Sequence, residues 1–255
     1  MKTRDVVDLI VLLHFWLSSA SVLMVAASAV VLGVDLRTVG VAIILPAILM
    51  SVVYVQDRRS PTSADRINQP RRTELVERYR RELRVSVLVA LAGYQVLLAY
   101  VVAATVEIGP IFILFGQVPF AVLIGYQHLK RLPGLDSLVV GCTWAYIIVF
   151  SVVVSSGISI SGELVLVFLT WALVVAAGVE SRNVQDRTGD RMSGQPTLAS
   201  RFGATATYLL EAVLKTVGVV IFWIVGGIQA AVIVLVWLVL LRLCRIAEQR
   251  RATVA

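Results

Sequence analysis

Eight long apolar stretches, at about 6–33, 38–56, 83–105, 108–125, 135–155, 162–181, 204–223 and 226–244, constrain this chain more than any other feature. A membrane-spanning helix takes about 20 apolar residues, so each stretch matches or approaches one crossing. In hydrocarbon every backbone N–H and C=O has to be paired within the protein, which only helices and closed barrels achieve. The apolar–polar alternation of a barrel strand is absent. The expectation is an all-α, polytopic transmembrane helical bundle of about eight spans around a central cavity. A mean hydropathy of +0.88 agrees with this, and the short connections read residues 1–255 as a single transmembrane domain.

The net charge of +7 does not point to nucleic acid, because so apolar a chain lacks the water-facing basic surface that such binding needs. Its Lys and Arg residues instead follow topology. Arg58, Arg59, Arg66, Arg71, Arg72, Arg78, Arg80, Arg81 and Arg84 crowd the second connection, Lys130 and Arg131 the fourth, and Arg182, Arg187, Arg191 and Arg201 the sixth. Lys2 and Arg4 lie near the start, with Arg242, Arg245, Arg250 and Arg251 near the end. Among the odd-numbered connections only Arg37 is basic, and Glu107 and Glu163 lie there. Since positive residues are retained in the cytoplasm, both termini and the even-numbered loops are expected on that side of the cell membrane. The first apolar run is longer than a secretory signal's core and is read as a retained span. Cys142 and Cys244 are read as packing residues. Pro46, Pro110 and Pro119 fall within or beside spans, where proline can kink a helix.

The chemistry concentrates in the three even-numbered loops. In the sixth, Asn183, Asp186 and Asp190 are spaced by three and four residues and would share one face if the helix continued through them. Such a row of oxygen donors suits Mg²⁺, which takes a few carboxylates and completes its shell with water and phosphate; a solvated helix end would look the same. In the second loop Asp57 ends a span, Asp65 and Asn68 form an i, i+3 pair, and Arg71 and Arg72 follow. Pro61 and Pro70 argue against one unbroken helix there. Carboxylates beside guanidinium groups are what a metal-bound diphosphate requires. In the fourth loop Tyr126 and Lys130 could both reach a phosphate oxygen. Glu211 and Lys215, four residues apart inside an apolar run, read as a self-neutralising pair. His14 and His128 stand alone.

Together these residues resemble the UbiA-type intramembrane prenyltransferases. Asp186–Asp190 matches the DxxxD of that family's second motif, followed by Gly194, Thr197 and Leu198; Tyr126–Lys130 matches its YxxxK element; Asp65, Asn68, Pro70 and Arg72 match the tail of its first motif. The resemblance covers roughly residues 40–205. It departs from the family in the first motif, where counting back from Asp65 places Pro61, Arg58 and Asp57 at the positions of Asp, Asp and Asn, while one inserted residue would align Asp57 with the leading Asp instead. Asn183 stands where a second-motif Asp is common.

The resemblance implies transfer of a polyprenyl group, geranylgeranyl for example, from its diphosphate to a lipophilic or aromatic acceptor within the membrane, with Mg²⁺ as cofactor. It implies Asp57, Asp65, Asn183, Asp186 and Asp190 as metal ligands and Asn68, Arg72, Tyr126 and Lys130 on the diphosphate, with Asp57, Asp65, Asp186, Asp190 and Lys130 as the catalytic set. Tyr54, Phe115, Trp144 and Trp171 are candidate aromatic faces for the allylic cation. A catalytically inactive relative that binds isoprenoid lipid is the alternative suggested by the divergent first motif. A transporter would place its polar residues at depth, whereas the acidic residues here cluster at one surface.

Overall fold

The computed structural model describes residues 3–13, 15–59, 61, 63–129, 134–194 and 196–253, and every regular element among them is helical. Helices α1 (Thr3–Leu12) and α2 (Phe15–Val31) meet at a bend of 50°. Helix α3 (Leu36–Val39) begins at Asp35, whose carboxylate accepts from the Arg37 backbone N–H at 2.8 Å. A tight turn at Gly40–Ile44 leads into α4 (Leu45–Arg58). The polar segment beyond it forms two short helices, α5 (Ser63–Asn68) and α6 (Pro70–Arg78). There follow α7 (Arg80–Ala104), α8 (Ile111–Phe115), α9 (Val118–Leu129), α10 (Leu135–Ser156), α11 (Gly162–Ser193), α12 (Leu198–Phe202) and α13 (Ala204–Thr253).

Five helical segments among the described residues, Leu36–Arg58, Arg80–Ala104, Leu135–Ser156, Gly162–Met192 and Ala204–Ala247, are long and apolar enough to cross a membrane, and the count is six if the bent α1–α2 pair is one broken span and not a re-entrant loop. All eight apolar stretches are helical, but they are not eight separate rods. The fourth is divided between α8 and α9, and its apolar part, Ile111–Tyr126, is shorter than the rest. The last two belong to α13, which is interrupted at Gly227 (φ 70°, ψ −166°), a backbone conformation open essentially to glycine alone. Trp171 packs edge-on against both Phe222 and Trp237, with ring centroids 5.2 and 5.4 Å away. A straight helix would hold those two residues about 22 Å apart. Gly227 therefore folds the two halves of α13 back beside each other.

The prolines start helices instead of kinking them. Pro46 lies in the first turn of α4, Pro110 immediately precedes α8, and Pro119 is the second residue of α9. At those positions the missing N–H would have had no helical partner anyway. The main core is shared by α2, α4, α7, α10, α11 and α13, with Met24, Leu49, Tyr94, Ile147, Trp171 and Phe222 fully buried. Buried polar groups are paired within it: the Trp171 indole N–H donates to Ser28 Oγ at 2.8 Å, and the Tyr94 hydroxyl donates to the Gly116 carbonyl at 2.7 Å. Lys215 donates to Glu211 one turn away, forming the pair read from the sequence.

A polar latch ties the first helix to the second loop. Arg71 of α6 reaches Asp5 at 3.1 Å and Asp8 at 3.2 Å on α1, and the Tyr79 hydroxyl donates to Asp5 at 2.6 Å. That hydrogen bond to a carboxylate pushes the Tyr79 hydroxyl above its ordinary range, because ionising it would lose the donor.

Candidate active site

A cavity of about 340 Å³ lies where α2, α4, α5, α6, α9, α10, α11 and α13 converge. Asp57, Asp65, Asp186 and Asp190 line it together with Arg58, Arg72, Arg182 and Arg245. The wall continues into apolar and aromatic side chains, among them Leu17, Met50, Tyr54, Leu123, Trp144 and Trp237. Of the residues singled out in the sequence, Asp57, Asp65, Asn68, Arg72, Tyr126, Asn183, Asp186 and Asp190 all border this one space. Lys130, with Arg131, lies outside the described residues, as does His14.

The second-motif residues owe their placement to the length of α11. Its 32 residues continue unbroken to Ser193, so Asn183, Asp186 and Asp190 share one helix face. Each is oriented by a neighbour. Asn183 donates to Asp136 at 3.3 Å; Asp186 accepts from Gln69 at 3.4 Å and pairs with Arg182, one turn earlier, at 3.5 Å. Asp190, only 6% exposed, accepts from the Thr197 hydroxyl at 3.3 Å. Thr197 also caps α12 by accepting from the Ser200 N–H at 3.1 Å. The Thr of the GxxTL stretch thus joins a helix start to a site carboxylate.

The first-motif residues come from a broken segment. Asp57 sits in the last turn of α4 and Asp65 in the first turn of α5, and the chain is interrupted again at Gln69 before Pro70 opens α6. Asp65 accepts from Arg72 at 2.6 Å, and the Arg72 side chain is 8% exposed. Asn68 clasps the opposite motif: its Nδ2 donates to the Asp186 carbonyl at 2.8 Å, while its Oδ1 accepts from the Gly189 N–H at 3.0 Å. Both ends of its amide are therefore engaged by the α11 backbone between the two second-motif aspartates. A Cβ on residue 189 would lie 2.4–2.6 Å from the Asn68 amide, so only glycine permits this approach.

Several cavity residues escaped the sequence reading. Arg58, Arg182 and Arg245 were accounted for there as markers of orientation, yet all three border the cavity. Spacing alone could have flagged Arg182, which lies i−4 to Asp186; Arg245 is brought in only by the fold-back of α13. Arg245 donates to Ser181 Oγ and to the Gly178 carbonyl, the latter at 3.2 Å. Beneath the cavity a buried polar group joins α10 to α11, with Ser137 donating to Glu180 and Asn183 to Asp136. Of the four candidate aromatics, Tyr54 and Trp144 line the cavity in edge-to-face contact, their centroids 6.1 Å apart. Trp171 belongs to the core, and Phe115, 46% exposed, is not among the lining residues.

Among the described residues no three Asp, Glu, His or Cys side chains come close enough to share one ion. Asp186 and Asp190, a helical turn apart on one face, offer the one or two carboxylates with which Mg²⁺ is commonly held when substrate phosphates complete its shell. The residues thus fit an ion shared with a substrate and not a protein cage.

A helical membrane protein with a mixed acidic and basic cavity leading into an apolar, aromatic one is the class that fold and site define. The UbiA prenyltransferase family model matches residues 63–253, three quarters of the chain, and the chain belongs to that family. It is accordingly an integral membrane protein of a family of membrane prenyltransferases, which generally use Mg²⁺ with a prenyl diphosphate and a lipophilic acceptor. The match begins after Asp57 and Arg58. Neither the curated proteins nor the solved structures contain a match to this chain.

Proposed function

We propose that the chain transfers a polyprenyl group, with geranylgeranyl diphosphate as the first donor to test, to a lipophilic or aromatic acceptor in the membrane. The observation that carries this reading is the single cavity in which eight charged side chains adjoin an aromatic and aliphatic wall. A prenyl diphosphate has the same polarity along its length. The diphosphate would lie against Arg72 and Tyr126, with Lys130 assigned to it by its place in the YxxxK element, and the tail would run along Met50, Leu123 and Trp144.

The slow step in such a transfer is heterolysis of the allylic C–O bond, so catalysis depends on stabilising negative charge as it builds on the departing diphosphate. Arg72 is suited to this because its nearly buried guanidinium is oriented by Asp65 at 2.6 Å. Asp186 and Asp190 would hold Mg²⁺, and the ion would supply Lewis-acid neutralisation of the same charge. Asn183 and Asp57 complete the proposed metal-facing set. The Tyr54 and Trp144 rings border the space where the allylic cation would form and offer π faces to it. The surrounding apolar wall keeps water from that cation. Both termini and the site's loops are assigned to the cytoplasmic side, on the strength of the basic residues gathered there.

Purified protein given labelled geranylgeranyl diphosphate, Mg²⁺ and a panel of quinone-precursor, aromatic and lipid acceptors is expected to yield a prenylated product and free diphosphate. A second reading, an inactive relative that binds isoprenoid lipid, is favoured by one observation: Asp65 is already engaged by Arg72. Prenyl diphosphate binding without transfer or diphosphate release, whatever the acceptor, would select it.

A further inference from the structure

Three of the cavity helices each carry one arginine near the polar end and one deepest lining residue, and the interval between the two is the same on all three. Met50 lies eight residues before Arg58 on α4, Val174 eight before Arg182 on α11, and Trp237 eight before Arg245 on the second half of α13. On α9, Pro119 lies seven before Tyr126. The arginines share a level, since Arg58 and Arg182 lie within electrostatic range of each other and Arg245 donates to Ser181 beside Arg182. A helix rises about 1.5 Å per residue, so the cavity below them is about 12 Å deep, and helix tilt only shortens that depth. Its lower end is closed. Met50, Pro119, Trp144, Val174 and Trp237 are buried, whereas the lining residues one turn nearer the arginines, Val53, Val122, Val140 and Leu241, are half-buried and face the space. Trp237 is fixed from below and from the side: its ring meets the fully buried Trp171 at 5.4 Å, and its N–H donates to the Ala20 carbonyl at 3.3 Å.

We infer that this floor is a ruler for the donor: the cavity takes a prenyl group two isoprene units long, ten carbons, and Trp237 with Met50 sets that limit. The inference rests on the prenyltransferase reading above and deepens it by naming the length of the donor. An isoprene unit advances the chain by four C–C bonds of about 1.5 Å at tetrahedral angles, which is about 5 Å. Two units therefore reach about 10 Å and four units about 20 Å, against a depth of about 12 Å below the arginines. Two units fit and four do not. The cavity volume of about 340 Å³ agrees, lying near the lower end of the range for ligand pockets. A four-unit tail has to double back or leave between helices, so geranylgeranyl diphosphate remains a usable donor but a poorer one. Trp237 is the larger determinant because its indole is the bulkiest group of the floor contributed by α13, and Met50 closes the same layer from α4.

The test is a competition. Purified full chain in detergent with Mg²⁺ binds labelled geranyl diphosphate, and unlabelled geranyl, farnesyl and geranylgeranyl diphosphates displace it, with affinities expressed as mole fractions in the micelle so that uptake of the longer tails is counted. The expected order is geranyl tightest, farnesyl between, and geranylgeranyl at least about tenfold weaker than geranyl, because surplus methylenes are forced against a packed floor. Trp237→Ala is expected to improve geranylgeranyl relative to geranyl at least about tenfold. Met50→Ala should move the ratio the same way by less. Trp223→Ala, at a position more than half exposed on the first half of α13, should leave it unchanged. Each ratio is taken within one preparation, so the fraction of a variant that folds cancels. Geranylgeranyl diphosphate displacing the label as well as geranyl does from the unaltered protein overturns the inference and means that the tail leaves sideways between helices; that arm needs no variant to fold. A ratio unmoved by both Trp237→Ala and Met50→Ala overturns it as well. Binding without preference for length sinks this inference alone, whereas failure of all three diphosphates to bind sinks the prenyltransferase reading and the ruler with it.

Discussion

Asp186 and Asp190 reach the cavity from a helix that never breaks, whereas Asp57 and Asp65 reach it from the end of one helix and the first turn of another. The two polar segments face each other but hold their charges differently. On α11 the side chains are fixed by the 3.6-residue repeat, and spacing alone sets their direction. In the segment from α4 to α6 the chain is divided among three helices, so its carboxylates need partners to orient them, and Arg72 serves Asp65 in that way. The difference teaches that a motif on a continuous helix can tolerate simple spacing rules. A motif on a broken one depends on the particular contacts it makes.

Removing both α11 carboxylates, Asp186→Asn with Asp190→Asn, is the hardest test of this contrast. Transfer of labelled prenyl diphosphate is expected to fall by about 10³-fold or more. Transfer at a normal rate would dismiss the α11 face as the catalytic wall. Asp65→Asn should act chiefly on stability, since it leaves the nearly buried Arg72 guanidinium without its charge partner. A loss of about 3 kcal/mol in denaturant unfolding is expected, and Arg72→Met in the same background should recover part of it.

The clasp between the two segments comes next. Asn68→Ala is expected to lower stability by about 1–2 kcal/mol, because the Gly189 N–H and the Asp186 carbonyl lose a partner. Gly189→Ala should do at least as much through the contact of its Cβ with the Asn68 amide. In combination the two should cost less than their sum, since Asn68→Ala clears the space that the new methyl group needs. Strict additivity in that cycle would show that the clasp does not couple the segments. The smallest effect is expected from Tyr79→Phe in the α1–α6 latch, a slight drop in melting temperature with transfer unchanged. The Tyr79 hydroxyl is raised above its ordinary range, so its contribution is complete below about pH 10 and is lost as pH climbs through the raised value. The gap between Tyr79→Phe and the unaltered chain should close there.

The helical membrane architecture was legible in the hydropathy because lipid leaves a chain so few choices. The α11 face was legible too, given a helix that continued through Asn183, Asp186 and Asp190. Other features depend on tertiary packing. The proline positions suggested kinks, but each proline opens a helix, and the fold-back at Gly227 carries no signal that separates it from other glycines in apolar runs. Arg58 and Arg245 were indistinguishable from the basic residues that set orientation, since retention in the cytoplasm and an inward-facing side chain produce the same sequence. The clasp made by Asn68 was not legible, because nothing in its spacing reveals the carbonyl and N–H of a helix more than a hundred residues away.

The fold-back at Gly227 also has a consequence for how the protein comes into being. Trp16 and Leu17 form part of the cavity wall at one extreme, and Trp237, Leu241 and Arg245 form another part near the opposite extreme. During synthesis the earlier helices can enter the membrane and begin to pack while this wall is still missing. The cavity can close only after the second half of α13 has emerged from the ribosome and turned back along the first. Until then the cavity stays open on that side.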